Sequence, residues 1–346
     1  MLIQSARELV AHKADVAAAA RLRLPAEWFR SDGSERLELV FDLQMHLAFL
    51  GEAVRLQEPR LFTEYAIWTS HLLQTAGGNP ERIQACFDAI GVRLGESCEG
   101  EWVRTALQIL AAAREAVLHA PPPTATYFED GNAHKALSQA FLDACLHMQR
   151  SKALSTIQQA VDQGVPLPVI YVDVITPAMR ELGRLWHLSQ VTVGQEHYCT
   201  AVAQMVMAQL FPAIFDGGRI SKGCVVSACV AGELHEIGAR MVADMFEMNG
   251  WDTIFLGADV PRQSVIDVIV ENRADVLAIS TTLGANLGHA SDLIDAVRAE
   301  PACNGVKVMV GGAAFGVDPQ LWKRVGADGW APDAPAALVL VNQWRS

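Results

Sequence analysis

The sequence predicts an α plus α/β chain: a helical N-terminal domain, a four-helix bundle, and then a doubly wound parallel sheet. Three observations carry this prediction. Beyond about residue 217, short apolar runs such as Val225-Val226, Val276-Leu277-Ala278-Ile279 and Val306-Lys307-Val308-Met309-Val310 alternate with helical stretches starting near Glu236, Pro261, Leu287, Asp318 and Ala334. That alternation is the mark of an α/β sheet. Residues 133–215 hold helical segments at 136–149, 153–163, 167–185 and 194–211, lengths that suit a bundle. Upstream, apolar residues recur at helical spacing to about residue 120.

The first region shows one stripe of Leu37, Val40, Phe41, Leu47, Ala48, Gly51 and Val54, and another of Phe62, Tyr65, Ala66, Thr69, Leu72, Leu73 and Ala76. Gly77-Gly78 closes the second helix, Asn79-Pro80 opens the next, and a last helix runs from near Glu101 to His119. Two breaks, Ala120-Pro121-Pro122-Pro123-Thr124 and Asp216-Gly217-Gly218, interrupt helical continuity. They divide the chain into residues 1–124, 125–216 and 217–346.

Glu233, His235 and Gly238 follow the first strand-like run in Glu-x-His-x-x-Gly spacing, with Leu234 and Glu236 beside the histidine. Open α/β sheets bind ligands on loops at strand carboxyl ends. The spacing suggests a metal ligand, a carboxylate that orients it, and a glycine where a cofactor approaches the backbone. The next strand-like runs end at Ser280-Thr281-Thr282 and at Gly311-Gly312. In a flavodoxin-like sheet of order 2-1-3-4-5 the first and third strands are neighbours whose loops border one crevice.

As a set, these residues resemble the cobalamin-binding signature Asp-x-His-x-x-Gly, Ser-x-Leu, Gly-Gly over roughly the last 130 residues. The resemblance implies that His235 coordinates cobalt from below. The cofactor's displaced tail would run past Ser280 and Thr282 to Gly311 and Gly312. Glutamate replaces aspartate at 233, and Thr282 replaces leucine.

In the bundle region, Trp186 is followed after nine residues by Glu196-His197. Read by themselves, these are a core tryptophan and a solvated first helical turn. Ahead of a cobalamin signature, the pattern resembles adenosylcobalamin-dependent photoreceptors. That resemblance implies that Trp186 packs on the adenosyl group, that Glu196 accepts hydrogen bonds from it, and that His197 becomes the upper cobalt ligand after photolysis. His187 is the competing nitrogen ligand. Photolysis would then drive a ligand switch and a change of quaternary structure, with a light-dependent homo-oligomer as the expected assembly.

Charge and composition narrow the classes. A net charge of −12 with no basic run argues against a chain that itself grips nucleic acid. No stretch has the apolar length of a membrane span, and Arg7, Glu8, Lys13 and Asp15 stand where a signal peptide would be apolar. Seven cysteines without a Cys-x-x-Cys pair fit a reducing compartment, so a cytoplasmic location is expected.

The N-terminal region shows no basic recognition helix. A helical domain joined to this module resembles the photocobilins, which implies biliverdin as a second chromophore. Candidate pocket residues are Trp28, Phe29, His46, Phe49, Tyr65, Trp68, His71 and Cys86, with Arg55, Arg60, Arg82 and Arg104 as propionate partners. A sensory or dimerising bundle without chromophore is the other reading. For the whole chain the expectation is a light sensor rather than an enzyme. The alternatives are a corrinoid methyl-carrier protein of a methyltransferase system, and a cobalamin store or chaperone.

Overall fold

In the computed structural model the described residues are 4–25, 28, 42–121, 125–214 and 221–345. The chain divides into two compact units, Met1–Pro122 with Leu283–Gly288, and Pro123–Thr282 with His289–Ser346. The first division falls in the proline run. The bundle and the sheet, expected as separate domains with a boundary near 216, belong to one compact unit.

The first unit contains α1 (Ala6–Ala11), α2 (Lys13–Arg21), α3 (Leu43–Arg55), α4 (Arg60–Thr75), α5 (Glu81–Ser97) and α6 (Glu101–His119). Leu37, Val40 and Phe41 of the first predicted stripe lie outside the described residues. Asp42 opens α3 by accepting the N–H groups of Gln44 and Met45. The glycine stop after α4 is as predicted: Gly77 has φ +80°, and the Gly78 N–H returns to the Leu73 carbonyl at 2.9 Å. Asn79 accepts the Glu81 N–H at 3.0 Å, supplying the cap for α5.

In the second unit the bundle consists of α7 (Lys135–Leu146), α8 (Arg150–Asp162), a composite helix α9, and α10 (Val193–Leu210). A reciprocal capping box between Thr192 and Gln195 starts α10. The helix expected over 167–185 is interrupted: α9 runs through Leu167–Val169, a π-helical turn Ile170–Ile175, and Thr176–His187. The cause is local. Pro177 has no N–H to give the carbonyl four residues back, and the Thr176 N–H instead reaches the Tyr171 carbonyl. The carbonyls left over find side chains: Asn132 Nδ2 donates to Asp173 O at 2.7 Å, and Ser138 Oγ to Val174 O at 2.6 Å.

The α/β domain follows as β1 (Cys224–Cys229), α11 (Ile237–Met248), β2 (Asp252–Phe255), α12 (Arg262–Asn272), β3 (Val276–Ser280), α13 (Leu287–Ala299), β4 (Lys307–Gly311), α14 (Ala313–Gly316), α15 (Leu321–Arg324), β5 (Gly329–Trp330) and α16 (Ala334–Gln343). All strands pair in parallel in the order β2-β1-β3-β4-β5, the predicted topology. Continuous burial along β1 and β3 reflects helices covering both faces. Register aligns Cys229 with Ser280, and Ser280 with Gly311, so three loops leave one edge of the sheet side by side. Met241 and Met245 of α11 complete the bundle core around Phe141, Tyr171 and Met207.

Candidate functional site

The loop between β1 and α11 carries His235. Its Nδ1 lies 2.5 Å from Glu233 Oε1, and Glu233 is fully buried. The same Oε1 accepts the His235 backbone N–H at 3.1 Å, while Oε2 accepts the Thr282 N–H at 2.8 Å. With Nδ1 engaged, Nε2 is the ring atom presented to a metal. The hydrogen bond that the ring donates to Glu233 pushes the imidazole's pKa above its usual value against the opposing effect of burial, and the charges of Glu233 and Glu196 add to the rise.

His235 borders a cavity of about 1160 Å³ between the sheet edge and the bundle. That exceeds the ~300–1,000 Å³ usual for small-ligand pockets. The sheet side brings together Leu234, His235, Glu236, Gly238, Ser280, Thr282, Gly311 and Gly312; the bundle side brings Trp186 and Glu196. Glu233 stands behind the wall, as an orienter should.

The wall suits a large cofactor held through a single imidazole. A Cβ on Gly238 would meet no atom within 4 Å, so any side chain there would take up cavity space. Gly312 has φ +97°, and a Cβ there would lie 2.3 Å from the Thr281 carbonyl oxygen. Glycine is therefore obligatory where the crevice passes β4. Trp330, at the end of β5, lines the cavity, and its buried indole N–H has no hydrogen-bond partner among the described residues. These features fit a bound cobalamin, which His235 would hold through Nε2 from the sheet side.

His197 is the exception among the predicted residues. It does not line the cavity; its side chain is 75% exposed and its Nδ1 lies 2.6 Å from Glu196 Oε2. Successive helical residues point about 100° apart, so α10 cannot aim both Glu196 and His197 inward. His187 is buried away from the cavity. Sequence reasoning missed Tyr127, Tyr171, Gln204 and Trp330 on the wall. Only Trp330, following a glycine and preceding a proline-containing turn, carried a local signal.

In the first unit His46, Phe49, Tyr65 and Cys86 of the candidate bilin residues are packed core. His46 Nδ1 lies 2.7 Å from Tyr65 Oη, Phe49 stacks on Tyr65 at 3.9 Å, and Cys86 is fully buried. His71 is buried, Trp68 is partly exposed, and Phe29 lies outside the described residues. Arg55 pairs with Glu52, Arg60 with Glu58, and Arg82 sits over the Trp28 ring. Arg104 is exposed on α6.

Residues 223–339 match the family model of the B12 binding domain, and residues 137–211 match a second B12 binding domain model. A corrinoid protein of Desulfitobacterium hafniense (strain Y51) is 28% identical over 190 residues, covering 54% of this chain and 87% of that protein. Dimethylamine corrinoid protein 3 of Methanosarcina acetivorans is 29% identical over 204 residues, 58% of this chain and 93% of that protein. The solved monomethylamine corrinoid protein of Methanosarcina barkeri superposes with a TM-score of 0.55 at 22% identity, over 61% of this chain and 100% of that one, a likeness of fold. Among the described residues no helix is long and apolar enough to cross a membrane. Residues 137–339 are thus a cobalamin-binding module: a helical bundle and a five-stranded α/β domain of the corrinoid-protein fold.

Proposed function

We propose that this chain is a corrinoid carrier protein whose Glu233-oriented His235 ligates cobalt on the sheet side, while the bundle side receives an alkyl group from, and returns it to, a partner methyltransferase. The observation that carries this reading is the buried Glu233 holding both His235 and the Thr282 N–H at the cavity edge. The names of the relatives, dimethylamine and monomethylamine corrinoid proteins, support it. Cobalamin bound there supplies a cobalt that takes up and gives up an alkyl group. The chain's own part is to hold and orient, so it serves an enzyme system without itself being the catalyst. Its seven free cysteines suit a reducing, cytoplasmic setting.

A second reading is favoured by Trp186 and Glu196 sharing the bundle-side wall. A half-buried indole and a carboxylate suit a large, hydrogen-bonding upper group, as in an adenosylcobalamin light sensor that changes its homo-oligomeric state on illumination. Biliverdin in residues 1–124 would be its second chromophore. His197 would enter that mechanism only after α10 turned.

One experiment separates the readings. Protein is reconstituted in the dark with hydroxo-, methyl- and adenosylcobalamin, with and without biliverdin, and followed by absorption and size exclusion before and after illumination. A carrier binds methylcobalamin at least as well as adenosylcobalamin and keeps its oligomeric state in light. A sensor prefers adenosylcobalamin and changes size. Unchanged spectra and affinity in His235→Ala would overturn both.

A further inference from the structure

We infer that Tyr171 is a positioning residue of the cobalamin cavity: its hydroxyl, bonded to Asp244, holds the π-helical turn as the bundle-side wall and so limits the size of the upper group that fits. The inference rests on the reading that His235 binds cobalt.

Tyr171 is almost wholly buried yet borders the cavity, and its hydroxyl donates to Asp244 Oδ2 at 2.7 Å. Asp244 lies on α11, the helix that directly follows the His235 loop, and is itself buried. Arg240 Nε stands 3.9 Å from the same carboxylate oxygen. Burial pushes both the Asp244 carboxyl and the Tyr171 phenol up in pKa. Just after the turn α9 makes a second contact with α11, where Thr176 Oγ1 lies 3.3 Å from Met241 Sδ.

Val172, Asp173, Thr176 and Pro177 of this stretch also form the wall. A π turn is wound more widely than an α turn, and such turns recur at functional sites. Here it persists because Asn132 and Ser138 satisfy the carbonyls that an α-helix would have used. A change of one residue in register would rotate the following helix by about 100°. Trp186 lies on that following segment. The Tyr171–Asp244 bond is a buried polar link between this turn and the helix that follows the His235 loop, beside the Thr176–Met241 contact. It therefore governs where the wall stands relative to His235.

The test compares wild type with Tyr171→Phe, Asp244→Ala and Asp244→Asn in dark absorbance titrations with hydroxo-, methyl- and adenosylcobalamin, with thermal melts alongside. Tyr171→Phe keeps the ring and removes only the donor; Asp244→Ala removes the acceptor without touching the ring. Both are expected to shift the adenosyl- to methylcobalamin affinity ratio by about tenfold toward the larger group, the scale of one lost buried hydrogen bond, with hydroxocobalamin binding unchanged. Asp244→Asn, which can still accept from the phenol, should keep the wild-type ratio. An unchanged ratio in both Tyr171→Phe and Asp244→Ala, or equal weakening toward all three cobalamins, overturns the inference. A failure of the underlying reading looks different: the wild-type spectrum itself would then be insensitive to His235→Ala.

Discussion

Glu233 meets His235 Nδ1 with one carboxylate oxygen at 2.5 Å and the Thr282 N–H with the other at 2.8 Å. A single buried carboxylate thereby joins the loop after β1 to the loop after β3, and it fixes which ring nitrogen faces the cavity. Glu233→Ala should weaken cobalamin binding by about 10–100-fold, the usual consequence of losing the group that orients a metal ligand. Glu233→Gln should be no milder. With the amide oxygen taken by the Thr282 N–H, its NH2 faces Nδ1, which moves the ring proton to Nε2 and blocks the metal. Titration with hydroxocobalamin measures both, and a Glu233→Gln variant with wild-type affinity would contradict the assignment.

Gly238 sits at the start of α11 in open space. Gly238→Ala should stabilise the cofactor-free protein by up to about 0.5–1 kcal/mol through helix propensity, while lowering cobalamin affinity because the methyl enters the cavity. Urea unfolding without cofactor and a binding titration test the opposed signs. A parallel change in both quantities would mean that the glycine is not at the cofactor surface.

Gly312→Ala is expected to act in the other direction. With φ +97° and a backbone oxygen 2.3 Å from the new Cβ, the substitution costs at least about 1–3 kcal/mol of stability. It also displaces Thr281 and Thr282, and with them the Glu233 contact. Denaturant midpoints with and without cobalamin should both fall.

Glu181, buried on α9, accepts the Tyr127 N–H at 2.9 Å and pairs with Arg184. Burial alone would raise its pKa, but the hydrogen bonds from Arg184, the Tyr127 backbone and Thr126, with the Arg184 charge, outweigh it and the net shift is downward. A carboxylate whose folded pKa is depressed contributes stability that is present above its unfolded pKa and lost as pH falls through the folded value. The stability advantage of wild type over Glu181→Gln should therefore be full at pH 6 and shrink steadily below about pH 4.5. Glu181→Ala, which leaves Arg184 without its partner, should cost about 3 kcal/mol at neutral pH. A pH-independent gap between wild type and Glu181→Gln would refute the charge-based account.

The parts of the molecule legible in the sequence are those carried by local period and local chemistry. Apolar runs separated by helical stretches gave the parallel sheet, Gly77-Gly78 marked a helix end, and Glu-x-His after a strand placed the candidate ligand loop, because each depends on neighbours along the chain. Through-space facts were not legible. That Glu196 faces the cavity and His197 faces solvent follows from how α10 is rotated by its packing. The π turn starts locally at Pro177, but Asn132 and Ser138 must arrive from another segment to satisfy the Asp173 and Val174 carbonyls. Thr282 acts through its backbone N–H, which has no signature in residue type. The two-residue β5 and the wall position of Trp330 exist only because β4 offers an edge to pair with. The sequence by itself determined most of the elements and singled out His235 as the residue proposed to ligate cobalt. Tertiary packing alone decided which side chains share the cavity with it, since a helix or strand pattern states its period but not which partner its faces will meet.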